Sequence, residues 1–100
     1  MPVILQVTMK VDVAYARAIF TPAEAAKRAG IPGMQWKIWA ADPFENEATG
    51  IYLFTDRQAA EARATEAVPL LRQTAGIRSV HAQIFEVWED NSRMTNAPID

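Results

Sequence analysis

The stretch Met34–Thr55, MQWKIWAADPFENEATGIYLFT, decides the fold. Two apolar runs flank the polar segment Asp42–Thr49, which reads as a strand over 34–41, a turn, and another strand over 50–55. In the later strand Ile51, Tyr52, Leu53 and Phe54 are apolar on both faces of the pleat. The earlier one sets Trp36 and Ile38 on one face and Trp39 on the other. A sheet apolar on both faces has to be covered on both.

Outward from this hairpin the chain reads β-α-β-β-α-β, an α+β ferredoxin-like antiparallel sheet with helices on one face. Residues 3–11 alternate, with Val3, Leu5, Val7 and Met9 on one side. Helical spacing follows from near Ala14 to Ala29. Inside it, Thr21-Pro22-Ala23-Glu24 is a capping-box pattern that either starts a new helix or kinks a longer one. Gly30-Ile31-Pro32-Gly33 stops the helical run. Beyond the hairpin, Thr55-Asp56-Arg57-Gln58 sets a helix start at Asp56 or Arg57. Its stripe is Ala60, Ala64, Ala67, Val68 and Leu71, with Pro69 expected to bend or split it. Gly76 ends this helix, residues 77–88 form the last strand, and a polar tail without period runs from about Asn91. Residues 1–100 make one domain.

Two helices cover only one face of four strands, and the expected cover for the other is a second copy of the chain. Alternation does not say which face lies under the helices. Leu5, Val7, Met9, Met34, Trp36, Ile38, Val80, Ala82 and Ile84 form a nearly pure apolar set, the better candidate for the core. Gln6, Thr8, Gln35, Lys37, Trp39, His81, Gln83 and Phe85 form the mixed opposite set.

Composition excludes several classes of function. Half the residues are hydrophobic, the net charge is −2, and the basic residues are scattered, so nucleic acid is not an expected partner. No apolar run approaches a membrane span, and the N-terminus lacks a signal-peptide pattern, so a cytoplasmic location is expected. There is no cysteine, and His81 is the only histidine, which leaves no metal site to expect. No nucleotide fingerprint appears, and no organic cofactor is expected. Ser79 and His81 share a strand face without a nucleophile elbow.

What stands out is aromatic: Trp36, Trp39, Tyr52, Phe54, Phe85 and Trp88 on strands, facing alanine-rich helices. Large sheet residues over small helix residues either leave a slot for a flat ligand or simply interdigitate, and close packing is the default. Histidine is the side-chain type suited to proton transfer at neutral pH, which makes His81 a candidate base, although a lone strand histidine is more often a surface or interface residue. Lys37 either orients an anionic oxygen of a ligand or, by default, pairs with a carboxylate across a dimer.

Three segments together resemble the YdhR-type putative monooxygenase family of the dimeric α/β-barrel superfamily. They are Gln35–Trp39, Glu47–Asp56 and Gln83–Val87, in this order and spacing. The resemblance is strongest from Gly33 to Asp56 and looser toward the tail. It implies a ferredoxin-like fold whose sheets pair face to face in a homodimer. It also implies cofactor-independent oxygenation of a small aromatic or polycyclic substrate of phenol, hydroquinone or anthrone type. The alanine-rich helices, Pro69 and His81 depart from the family pattern. On that reading Trp36, Trp39, Tyr52 and Phe54 are candidate walls, on alternating faces, so not all line one pocket. Lys37 is the candidate anion partner and His81 the candidate base. The competing reading is a non-catalytic dimer that binds or senses a small aromatic molecule.

Overall fold

A computed structural model describes residues 1–100. Four strands, β1 (Val3–Lys10), β2 (Met34–Asp42), β3 (Glu47–Phe54) and β4 (Arg78–Glu86), form one antiparallel sheet in the order β2-β3-β1-β4. The helices are α1 (Val13–Ile19), α2 (Pro22–Ala26), α3 (Arg57–Arg72) and α4 (Glu89–Met94). This is the ferredoxin-like order read from the sequence.

The proline signal at Thr21 starts a new helix. Thr21 Oγ1 accepts from the Glu24 N–H at 3.3 Å, and Pro22 occupies the first helical position, where a missing N–H costs nothing. Asp56 caps α3 by accepting from Ala59 N–H at 2.8 Å. Pro69 does not split α3, which runs on to Arg72. Between α2 and β2, Gly33 has φ +78°, and a Cβ there would stand 2.6 Å from the Ala59 Cβ. Only glycine satisfies both the left-handed backbone and the close approach of α3.

The main core lies between α1, α3 and one sheet face: Val3, Leu5, Val7, Met9, Tyr52, Phe54 and Val80 from the strands, Ala16 and Ala60 from the helices. The register departs from simple alternation at one place. Met34 pairs with Phe54, but Trp36 pairs with Leu53, so two residues of β2 advance past one of β3 and Gln35 forms a bulge. Met34 therefore stays on the helix face, while Trp36 and Ile38 turn to the other. The expected core set is corrected at these two residues. Lys37, opposite Tyr52, and Trp39, opposite Gly50, are the ones that lie beneath the helices.

The far face is partly capped by the chain itself. Ile99 is buried with Leu53 and Val87, and Ala97, Ile4 and Trp36 pack against them. The C-terminal tail, read as polar and without period, thus contains α4 and a docked segment. Trp36 Nε1 donates to the Pro98 carbonyl at 2.8 Å and secures it. No helix is long and apolar enough to cross a membrane.

Candidate active site

A cavity of about 640 Å³ opens between the helices and the β2–β3 half of the sheet. Its origin is small side chains in both layers. Ala48 and Gly50 form part of the floor, and Ala16 and Ala67 face them from α1 and α3. Close packing, the default for these alanine-rich helices, gives way here to a cavity of ligand size.

Lys37 stands on the floor. Its Nζ lies 3.4 Å from the Trp39 ring centroid and 4.5 Å from that of Tyr52, within cation–π range of both. Phe20, at the C-terminal end of α1, closes on Trp39 with centroids 5.8 Å apart. Burial pushes the Lys37 amine down to about 7, and the nearby charges of Arg63 and Arg28 push in the same direction. No carboxylate opposes them. Within the chain Lys37 forms no ion pair.

Gly50 makes room for this arrangement. A Cβ on Gly50 would come within 2.8 Å of Lys37 Cε and 3.3 Å of the Tyr52 ring. Gly50→Ala is therefore expected to lift the lysine stem off the floor and return its amine toward the ordinary lysine value. An NMR titration of ¹³C-labelled lysine checks this, and an unmoved Lys37 titration would show that the methyl group is accommodated elsewhere.

The matching family model, described as "Putative mono-oxygenase ydhR", spans residues 4–98. The chain belongs to that family. Among solved structures, it is similar to the 1.40 Å crystal structure of a putative antibiotic biosynthesis monooxygenase from Deinococcus radiodurans. That match has a TM-score of 0.62 at 15% identity, covering 85% of this chain and 91% of the other. It is also similar to the uncharacterized protein TM1266 from Thermotoga maritima, at 17% identity and a TM-score of 0.42, covering 85% and 96%. No curated protein matches the sequence. The family supports a monooxygenase-like function, and the Deinococcus structure shows the same fold.

Of the family residues singled out in the sequence, the cavity gathers Lys37, Trp39 and Tyr52. Phe54 shares their sheet face but is fully buried, stacked on Tyr52 with centroids 5.7 Å apart, and belongs to the core. Trp36 lies on the far face against the tail. His81 pairs across from Thr8 on that same far face, is exposed, and does not line the cavity. No three His, Cys, Asp or Glu side chains come together in a group able to hold a metal ion.

Sequence reasoning missed the basic residues of the cavity wall, Arg63 above all. A signal was present. Arg63 is three residues from Ala60 and four from Ala67, so it sits inside the apolar stripe of α3, where a charge is out of place.

Proposed function

We propose that this chain is a cofactor-independent monooxygenase that oxidises a flat aromatic substrate of phenol, hydroquinone or anthrone type in the cavity over β2 and β3. The observation that carries the reading is Lys37: an amine without a carboxylate partner, held among aromatic rings, with its titration near neutrality. A neutral amine at that position is a base matched to physiological pH. The cation it becomes sits next to the anion it has made.

For an anthrone the steps balance as follows. The ring CH₂ gives a proton to the Lys37 amine, leaving a carbanion delocalised over the rings. The carbanion passes one electron to dioxygen, and the resulting radicals join in a C–O bond. The peroxide takes a proton from the Lys37 ammonium, and the hydroperoxide loses water to leave a carbonyl. One oxygen atom ends in the product and the other in water. Trp39 and Tyr52 hold the ring plane, and Val7 and Met9 keep the floor apolar.

Oxygen uptake by the chelator-treated protein, run against anthrones, hydroquinones and phenols beside protein-free autoxidation controls, tests this directly. Uptake above the controls supports the oxygenase. Saturable binding without such uptake would instead support a non-catalytic aromatic-binding protein.

The assembly we propose is a homodimer through the far sheet face. Ile38 is 50% exposed and Phe85 42% exposed there, beside half-buried Ile4 and Ile51. Such an apolar patch suits an isologous two-fold contact. Light scattering is expected to return twice the 11.1 kDa chain mass. A mass of one chain would remove the dimer.

A further inference from the structure

The charges around the cavity are out of balance. Arg17, Lys27, Arg28, Lys37 and Arg63 line it, against only Glu24 and Glu66. Glu24 is already engaged by Lys27 at 2.9 Å and by Arg28 at 3.3 Å. Arg63 has less. Its side chain is only 12% exposed, yet its single ion pair is a 3.7 Å approach to Glu66, whose own side chain is 69% exposed. Its Nε is shut off from solvent and hydrogen-bonds to nothing. A guanidinium nearly out of water without a hydrogen-bonded acceptor is an expensive arrangement, tolerated where a ligand completes it. It also stands close enough to Lys37 to weaken that residue's hold on its proton.

From this wall we infer that the ligand of the cavity is an aromatic acid, whose rings lie against Trp39 and Tyr52 and whose carboxylate is received by the Arg63 guanidinium. The inference rests on the reading of the cavity as the site of an aromatic ligand and names the chemical class of that ligand. Arginine suits the role because its planar fork matches a carboxylate in a bidentate geometry. With the carboxylate held at α3, Lys37 on the sheet floor stays free for the reacting carbon or hydroxyl. Arg63 is then a binding residue and Lys37 the one that moves a proton.

The test compares two probes of the same ring system, 2-naphthoate and 2-naphthol, by titration calorimetry at neutral pH. The first is an anion there and the second is not. The wild-type protein is expected to bind 2-naphthoate at least about tenfold more tightly, as one charge-assisted bidentate contact would provide. Arg63→Gln should remove most of that preference and change 2-naphthol affinity less than about twofold, while Arg63→Lys should keep part of it. Preferential binding of naphthoate should also weaken with added salt.

Equal binding of the two probes by the wild-type protein overturns the aromatic-acid inference while leaving an aromatic cavity in place. This comparison needs no variant to fold. A parallel loss of both probes in Arg63→Gln assigns Arg63 a structural role and overturns it too. Failure of both probes to bind overturns the cavity reading itself. Oxygen uptake is a separate readout, and naphthoate preference without turnover leaves this inference standing while the oxygenase falls.

Discussion

Lys37→Met is expected to lower oxygenase turnover by roughly 10²–10⁴-fold, the usual contribution of a positioned base. Methionine keeps the length and apolar stem of the lysine, so Trp39 and Tyr52 retain a neighbour and the cavity keeps its shape. The wild-type rate should climb as pH rises through about 7, where the amine loses its proton, and then level off. The variant's residual rate should lack that rise. A variant that keeps both the rate and the pH profile would place the base elsewhere.

The same substitution should act on stability in the opposite direction. Burial lowers the amine from 10.5 to about 7 in the folded chain. Between those values the unfolded chain holds a proton that the folded chain has released, so wild-type stability rises with pH across that window. Below about pH 7 the folded chain carries the charge and gains none of this. Lys37→Met has no such dependence. It should be the more stable protein at pH 6, by on the order of 1–2 kcal/mol once partial solvent screening is allowed for, and the gap should close toward pH 10. Urea unfolding at both pH values checks the sign. Loss of activity with gain of stability is the signature of a charge kept for function.

Phe54→Ala is expected to produce the largest loss of stability, about 3–5 kcal/mol. Phe54 is fully buried, stacked on Tyr52, and surrounded by the main core, so nothing collapses easily into the space it leaves. For a domain of this size the melting temperature should fall by roughly 12 °C or more. Trp39→Ala is the contrasting variant. Trp39 is 37% exposed on the cavity wall, and its removal should weaken aromatic binding far more than folding. Thermal melts beside calorimetric titrations separate the two. If Phe54→Ala melts like the wild type, its place in the core is wrong.

The contrast between Phe54 and Trp39 marks where sequence reading reaches its limit. Both are strand aromatics in segments that resemble the family, and nothing local distinguishes a core residue from a wall. The difference arises from what lies above them. α3 packs over β1 and β4, whereas α1 and α2 stand off from the β2 edge. That gap is set by the docking of whole elements, to which no single residue's neighbours in sequence report.

Element order, the two capping signals and the apolar character of both sheet faces follow from the sequence by itself, because periodicity, caps and glycines act over a few residues. Family membership was legible for the same reason, through three short segments at fixed spacing. The tertiary structure alone decided the face on which the cavity lies. The bulge at Gln35 slips β2 by one residue, and with a side-chain period of two, that slip sends Trp36 and Ile38 outward and brings Lys37 and Trp39 under the helices. Simple alternation cannot encode it, since the bulge exists only in the pairing of β2 with β3. The tertiary structure likewise set Arg63 across from Lys37, a juxtaposition of residues 26 positions apart that only the packing of α3 over the sheet creates.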